Sequence, residues 1–237
     1  MAAVGLVGGL GPESTIDYYR RILQVWQQHR PGTAPSLVID SLDVQRALRL
    51  VSTDRAALAE YLLDSIRRLA GAGVHFVAMT ANTPHIVFDE VAGRSPVPLL
   101  SIVEACLEEA GRRQLRRLLL LGTRFTMEAP FFAAVGARHG IVVVVPDPPD
   151  RLWLHERYVG ELLAGDFRDE TRQQLVSVVG RIRTAESIDG VILGGTELPL
   201  LLRSPQIEGL PTLDTTALHV DAIVQRLLSS DGADTSR

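Results

Sequence analysis

The chain has 237 residues, of which 46% are hydrophobic and 22% charged, and its formal net charge at pH 7 is −4. This composition supplies enough apolar surface for a folded core, and the acidic balance argues against a dedicated nucleic-acid binder. All 24 basic residues are Arg. Without Lys there is no internal aldimine for pyridoxal phosphate and no phosphate-binding Lys of a P-loop, so both enzyme classes are excluded.

The single Cys, Cys106, excludes an intrachain disulfide and a Cys-rich zinc site. Its surroundings are typical of a small apolar residue on the buried side of a helix. The first residues, Met1–Val7, lack the basic segment of a secretory signal, and no apolar run approaches the ~20 residues that span a bilayer. We therefore expect a cytoplasmic protein that does not bind membranes.

Short apolar runs alternate with amphipathic segments along the whole chain. The predicted strands are 4–7, 36–40, 75–79, 118–121, 141–145 and 191–193. The predicted helices are 14–26, 54–70, 101–110, 168–183 and 216–228, followed by a disordered tail over 229–237. Because continuous rather than alternating apolar strands indicate parallel sheets that are covered on both faces, the predicted fold class is α/β.

Two strand-and-turn patterns repeat at one spacing. Gly8 and Gly122 each follow an apolar strand, and they are as far apart in the chain as Ala81 and Gly195, which follow two others. The repeat predicts two similar α/β domains, 1–114 and 115–209, with residues from about 210–228 packing back onto the first. Since ligands of such sheets bind at the carboxyl ends of the strands, we expect a site in a cleft between the halves, lined by these turns.

The turns carry small polar groups rather than a recognisable cofactor motif. Gly8-Gly9-Leu10-Gly11-Pro12 lacks the third glycine and the acidic residue of a dinucleotide fingerprint, so an anion-binding turn and a plain tight turn both remain open. Singly, Asn82-Thr83, Thr123, Thr126 and Thr196-Glu197 are typical helix caps or turn residues. Together they would form a neutral set of donors suited to a carboxylate.

Five ordered motifs carry a more specific resemblance. They are 8–19 (GGLGPESTIDYY), 81–85 (ANTPH), 122–127 (GTRFTM), 193–199 (LGGTELP) and 214–219 (DTTALH). With these the chain resembles the aspartate/glutamate racemase superfamily, in particular its aspartate racemase branch, over nearly its whole length. The resemblance implies two α/β domains related by pseudo-twofold symmetry around a central cleft, cofactor-independent chemistry and a homodimer.

The resemblance also implies two catalytic cysteines, one before Asn-Thr and one between Gly and Thr-Glu, which exchange a proton on opposite faces of the substrate α-carbon. Those positions hold Ala81 and Gly195 here. Neither residue can carry a proton, so two-cysteine racemisation is excluded. By the same reasoning, the double substitution Ala81→Cys with Gly195→Cys is expected to restore racemase activity on an acidic amino acid.

Three residues remain as candidates for proton transfer: His85, Glu197 and Thr83. The imidazole of His85 titrates near neutrality, a desolvated Glu197 could act as a base, and the Thr83 hydroxyl would need activation. Supporting or capping roles are the alternative for each. The resemblance implies substrate contacts from Gly9, Leu10, Asn82, Thr83, Thr123, Thr126 and Thr196. Arg46 or Arg49 is expected to hold a side-chain carboxylate, or else to be a solvated helix charge.

These observations leave three hypotheses. The first is a cofactor-free, metal-free enzyme of isomerase/racemase ancestry that acts on a small carboxylate or amino acid with changed, lyase-, decarboxylase- or isomerase-type chemistry. The second is a non-catalytic binder or sensor of an acidic amino acid. The third is a racemase whose cysteines were removed deliberately to trap a ligand. Because the polar turns around the two positions are intact, the sequence favours the first.

Overall fold

The structure, a computed structural model, describes the backbone of residues 2–234 and the side chains up to residue 230. The chain divides into two compact units, one formed by residues up to Ile102 together with those from Thr216 onward, the other by Val103–Thr215. Both contain parallel strands connected by helices. This confirms the predicted α/β fold with parallel sheets in two domains.

The sheet of the first unit has the order β2-β1-β3-β4. Its strands are β1 (Ala3–Gly8), β2 (Ser36–Ser41), β3 (Phe76–Met79) and β4 (Leu99–Leu100), and all pair in parallel. Val7 lies opposite Met79, and Gly8 lies opposite Ser41. The carboxyl ends of β1, β2 and β3 therefore meet at one edge of the sheet, which places the turns that follow them side by side.

Four helices accompany this sheet: α1 (Pro12–His29), α2 (Val44–Thr53), α3 (Arg55–Gly71) and α4 (Phe88–Arg94), with a 3-10 helix at Thr83–Val87. Helix α2 was not predicted, although Asp43 is a typical N-cap residue. Its carboxylate accepts the backbone N–H of Gln45 at 2.8 Å. Asp54 caps α3 in the same way.

The second unit repeats the same strand arrangement. Its strands are β5 (Arg117–Leu121), β6 (Val142–Val144), β7 (Gly190–Leu193), β8 (Gln206–Ile207) and β9 (Leu210–Asp214), in the order β6-β5-β7-β9-β8. Only β8 among these is antiparallel. In each unit the first strand lies between the second and the third, which supports the internal repeat read from the sequence.

The helices of the second unit are α5 (Ile102–Arg112), α6 (Arg124–Glu128), α7 (Phe131–Arg138), α8 (Pro148–Gly160), α9 (Asp169–Glu186) and α10 (Leu198–Leu202). A last helix, α11 (Thr215–Asp234), returns the chain to the first unit. There its buried residues Val220, Ile223, Val224 and Leu227 join one apolar cluster with β1 and α1, whose members include Leu6 and Trp26.

The unit boundaries differ from the predicted ones. The break falls at Ile102 instead of residue 114, because α5 belongs to the second unit: Glu104 on this helix binds Arg138 and, at 3.0 Å, the Nε2 of His139. The chain returns at Thr216 rather than near 210.

The predicted disordered tail, 229–237, also differs, since α11 continues to Asp234. Residues 235–237 lie outside the described residues. Between residues 2 and 234, no helix combines the length and the apolar character that crossing a bilayer requires.

Candidate functional site

The turn after β1 is fixed by the backbone of its neighbours. Gly9 adopts φ +75°, and a Cβ at this position would lie 2.6 Å from the backbone nitrogen of Leu42. A side chain is therefore excluded here both by conformation and by space. The N–H of Gly9 donates to the hydroxyl of Thr15 at 2.9 Å. Leu10, a predicted contact residue, is buried.

Hydroxyl groups connect this turn to the end of β3. The hydroxyl of Thr80 is buried and donates to the carbonyl of Val7 at 3.1 Å, and it lies 3.4 Å from the hydroxyl of Thr15. Thr15 in turn donates to the carbonyl of Gly11 at 3.0 Å. These hydroxyls therefore hold the loops that surround Ala81, and none of them is next to a group that would activate it as a base.

The segment after β3 places Ala81 and Asn82, both buried, before the 3-10 helix that begins at Thr83. Thr83 itself is partly exposed. We call residues 81–85, together with residues 9–11 of the turn after β1, the first strand-end site. It contains the amide and hydroxyl groups that were predicted from the sequence, whereas residue 81 contributes only a methyl group.

His85 lies in the first strand-end site with both ring nitrogens occupied. Its Nδ1 is 3.1 Å from the carbonyl of Ala81, and its Nε2 is 3.3 Å from the backbone N–H of Ile102. Because a carbonyl only accepts and an amide only donates, the single proton of the ring sits on Nδ1. The ring is buried and stacks on Phe88 at 4.9 Å, and burial lowers the pKa of His85 to about 3. The neutral ring of His85 therefore holds the loop in place through its two hydrogen bonds to the backbone.

The two candidate arginines of α2 are both exposed. The guanidinium of Arg46 lies over the ring of Tyr61, 4.3 Å from its centroid. The Tyr61 hydroxyl also accepts the backbone N–H of Asp43, the cap of the same helix. Arg46 is thus held by an aromatic face in the structure, and Arg49 projects from the same helix.

In the second unit, the turn after β5 is closed by two buried threonines. The hydroxyl of Thr123 accepts the backbone N–H of Thr126 at 3.2 Å and so caps α6, and the two hydroxyls are 3.1 Å apart. Gly122 lies directly before them, and a Cβ on it would come within 2.7 Å of the carbonyl oxygen of Gly194. The ends of β5 and β7 therefore approach each other too closely for a side chain at Gly122.

The position of the expected second cysteine is filled from elsewhere in the second unit. A Cβ on Gly195 would lie 2.7 Å from the hydroxyl oxygen of Tyr158 and 2.8 Å from its Cζ, with the ring carbon Cε2 closer still. Tyr158 comes from α8 and is buried, at 3% exposure. Its ring thus occupies the space into which a side chain at residue 195 would extend.

This arrangement corrects one expectation. The substitution Gly195→Cys would drive the thiol-bearing carbon into the ring of Tyr158, so the double substitution with Ala81→Cys does not simply rebuild a racemase site. A side chain at 195 requires a smaller residue at 158.

Tyr158 is paired with Glu197. The phenol donates a short hydrogen bond to Oε2 of Glu197, and the backbone N–H of Glu197 donates to the phenol oxygen at 3.3 Å. Thr196 adds a second hydroxyl donor to the same Oε2, at 3.0 Å. All three side chains are buried. Burial, the charge of Glu197 and its hydrogen bond raise the pKa of Tyr158 well above its usual value. We call Tyr158, Gly195, Thr196 and Glu197 the second strand-end site.

Tyr158 was not predicted as a site residue, because α8 was not predicted from the sequence. The helix had a readable start, since Asp147 precedes two prolines and its carboxylate accepts the backbone N–H of Asp150 at 3.0 Å. Leu154 and Tyr158 then share the buried face of α8 at a spacing of four residues. No sequence signal, however, connects a tyrosine on α8 with a glycine after β7.

The single thiol belongs to α5 of the second unit. Cys106 is completely buried on α5, and burial together with the charge of Asp214 raises the pKa of its thiol far above the usual range. This confirms the prediction of a buried, apolar role for Cys106. Among residues 2–230 no three His, Cys, Asp or Glu side chains converge as metal ligands.

The comparisons with known proteins agree with one another. The profile of the Asp/Glu/hydantoin racemase family matches residues 7–223. A candidate Asp/Glu racemase from Yersinia pestis is 32% identical, with a TM-score of 0.85 over 96% of this chain and 100% of its own. An aspartate racemase homologue from Pyrococcus horikoshii is 31% identical, with a TM-score of 0.80 over the same shares.

A third relative is the broad specificity amino-acid racemase RacX of Bacillus subtilis, which is 24% identical over 95% of this chain and 98% of its own. The match of the family profile covers both strand-end sites, including residues 81 and 195 where the thiols are missing. On these grounds, and whatever reaction it carries out, the chain belongs to the Asp/Glu/hydantoin racemase family.

Proposed function

We propose that the protein is a cofactor-independent enzyme that acts at the α-carbon of a small carboxylate or amino acid, and that it handles the proton from one side only. The observation that carries this proposal is the asymmetry between the two strand-end sites. The second holds a phenol and a carboxylate that can exchange protons, Tyr158 and Glu197. The first offers a methyl group at Ala81 and a histidine, His85, whose nitrogens are both engaged by the backbone.

Racemisation without a cofactor needs a base on one face of the α-carbon and an acid on the other. A site that supplies only one such group instead suits a reaction in which a bond other than C–H breaks first. Loss of carbon dioxide from a malonate-type acid is the simplest case, because it leaves an electron pair that one protonation completes.

The remaining polar groups fit a carboxylate. Thr123 and Thr126 in the second unit, and Asn82 and Thr83 in the first, provide neutral hydroxyl and amide donors near the carboxyl ends of strands. Donors of this kind stabilise negative charge that develops on a carboxylate oxygen as the α-carbon becomes electron-rich. We propose that the donors of each unit, together with the backbone of Gly9 in the first, can bind a carboxylate group.

The test is incubation of the purified protein in deuterium oxide with acidic and neutral amino acids and with substituted malonates, followed by NMR and chiral chromatography. We expect release of carbon dioxide from a substituted malonate, with one deuterium at the α-carbon of the product in a single configuration. Cys106→Ala serves as a control that retains the rate, since the thiol is buried on α5. Conversion of either enantiomer of an amino acid into the racemate would refute one-sided proton handling.

A non-catalytic binder is the second candidate, and one observation favours it. Tyr158 and Glu197 satisfy each other within the second strand-end site and are almost fully buried, as a space-filling plug would be. The same panel separates the two functions. Binding of an acidic amino acid by calorimetry without any turnover or deuterium incorporation would establish the binder and overturn the enzyme.

A further inference from the structure

The ring of Tyr158 brings a dissociable proton to the place where the side chain of residue 195 would begin. Its hydroxyl oxygen lies 2.7 Å from the position of a Cβ on Gly195. A side chain at residue 195 would therefore extend into the space that the Tyr158 ring and hydroxyl occupy. Glycine at 195 and tyrosine at 158 are thus complementary in space.

Both ends of this pair are held by rigid elements. Tyr158 projects from α8 beside Leu154, and both side chains are buried. Glu197 forms the cap position of α10, and the turn before it closes with a hydrogen bond from the N–H of Leu198 to the carbonyl of Gly195 at 3.0 Å. Two hydroxyl donors, from Tyr158 and Thr196, converge on the same Glu197 oxygen. Such a site keeps its geometry without rearrangement during a reaction.

We propose that Tyr158 is the catalytic acid that delivers a proton to the substrate α-carbon, taking over at Gly195 the task of a cysteine, and that Glu197 is the residue that positions it through the hydrogen bond from the phenol. This inference rests on the proposed function and names its proton donor. Tyr158 lies 37 positions before Gly195 in the chain, so it is a replacement supplied by another element.

The chemistry balances with solvent as the proton source. When the bond to the departing carboxyl group breaks, carbon dioxide leaves and its electron pair stays on the α-carbon, conjugated with the remaining carboxylate. The phenolic O–H bond of Tyr158 then breaks as the new C–H bond forms, leaving a phenolate. Solvent water then gives a proton to the phenolate and leaves as hydroxide, so no oxidant, reductant or cofactor is consumed.

The environment of Tyr158 sets the direction of transfer. Because burial and the adjacent Glu197 raise its pKa well above the usual value, the phenol is protonated at neutral pH. It can therefore donate a proton to a basic carbanion but cannot remove one from an unactivated amino acid. This direction matches a lyase and opposes racemisation.

The test compares Tyr158→Phe with Tyr18→Phe, both of which delete one buried, hydrogen-bonded phenol oxygen. Tyr18 lies in the first unit, where its hydroxyl contacts Nδ1 of His219 at 2.9 Å. For Tyr158→Phe we expect kcat to fall about 10²- to 10⁴-fold, the usual contribution of a general acid, with KM changed less than about threefold. The residual product should lose its single configuration, because water then protonates either face. Tyr18→Phe should retain both rate and configuration.

Glu197→Gln supplies the readout for the positioning role. It keeps the size of the side chain but replaces the carboxylate that accepts the phenol proton by an amide, which weakens the orientation of the Tyr158 hydroxyl. We therefore expect kcat to fall less than in Tyr158→Phe, with KM changed less than about threefold and the product still in a single configuration. A Glu197→Gln variant with the wild-type kcat would overturn its assignment.

Failure of the inference and failure of the proposed function give different results. If the wild-type protein turns over and Tyr158→Phe keeps its rate and its single product configuration, the assignment of Tyr158 is overturned while the one-sided enzyme stands. If the wild-type protein turns over none of the panel, both are overturned. Circular dichroism and thermal unfolding of Tyr158→Phe verify that a loss of activity does not come from unfolding.

Discussion

The close contact between residues 195 and 158 makes the substitution Gly195→Ala a sharp test of the structure. The φ of Gly195 lies outside the left-handed region, so its backbone tolerates a side chain and only space opposes one. The added methyl would lie 2.7 Å from the Tyr158 hydroxyl oxygen and 2.8 Å from its Cζ, well inside ordinary van der Waals contact. The ring is buried and bound to Glu197, so it can move away only by disturbing that pair.

Overpacking of this kind typically destabilises a protein by 1–3 kcal/mol, so we expect Gly195→Ala to lower the free energy of unfolding by about 2 kcal/mol. For a chain of this size, that corresponds to a fall in Tm of roughly 4–8 °C. Thermal and urea unfolding, followed by circular dichroism, measure both. Gly160→Ala is the matched control: it lies at the end of the same helix α8 with open space around an added Cβ, and should change stability by less than about 1 kcal/mol.

A double-mutant cycle attributes the effect to Tyr158. In a Tyr158→Leu background the ring atoms that crowd the methyl are absent, so Gly195→Ala should become at least about 1 kcal/mol less destabilising than in the wild type. Equal stability of Gly195→Ala and the wild type, or an equal effect in both backgrounds, would refute the contact between the two residues. The same cycle shows whether a cysteine at 195 can be accommodated.

Three further predictions follow from buried groups. Burial lowers the pKa of His85 to about 3 and that of His219 to about 4, whereas both imidazoles titrate near 6.5 in the unfolded chain. The stabilising contribution of the two neutral rings is therefore fully present above about pH 6.5 and is lost as the pH falls below it. At pH 5 urea unfolding should show a loss of roughly 2 kcal/mol for each histidine, and His219→Gln should flatten this dependence. Cys106 should resist thiol reagents in the native protein and react at once in urea, and rapid native labelling would contradict its burial. Gly9→Ala should be more destabilising than Gly160→Ala, because a Cβ there would lie 2.6 Å from the backbone nitrogen of Leu42 at φ +75°; similar urea midpoints for these two variants would contradict this.

Local sequence patterns predicted the first three strands of each sheet, β1 to β3 and β5 to β7, but not β4, β8 and β9. The apolar runs 118–121 and 191–193, for example, became β5 and β7, because residues of this type bury both faces of a parallel strand. The repeat between the turns at Gly8 and Gly122 likewise predicted two similar α/β units. Both inferences depend on neighbours in the chain or on a copied pattern, which a single sequence contains.

The chemistry of the sites was less accessible. The sequence identified Ala81 and Gly195 as positions that cannot carry a proton, but the space at Gly195 is filled by Tyr158, a contact that only the tertiary structure creates. His85 shows the same limit, since its titration range suggested proton transfer until its bonds to Ala81 and Ile102 were visible. Because α8 was not predicted, Tyr158, which donates to Glu197, was never considered as a site residue.

The discontinuity of the first unit has a consequence for biosynthesis. Leu6 and Trp26 belong to the same apolar cluster as Val220 and Leu227 of α11. During translation, the cluster residues of β1 and α1 leave the ribosome long before those of α11. One face of the nascent sheet therefore remains uncovered while the whole second unit is translated. The second unit, which is continuous in sequence, is free to fold first, and the newly made chain would rely on chaperones to protect its earliest strand until the last helix leaves the exit tunnel.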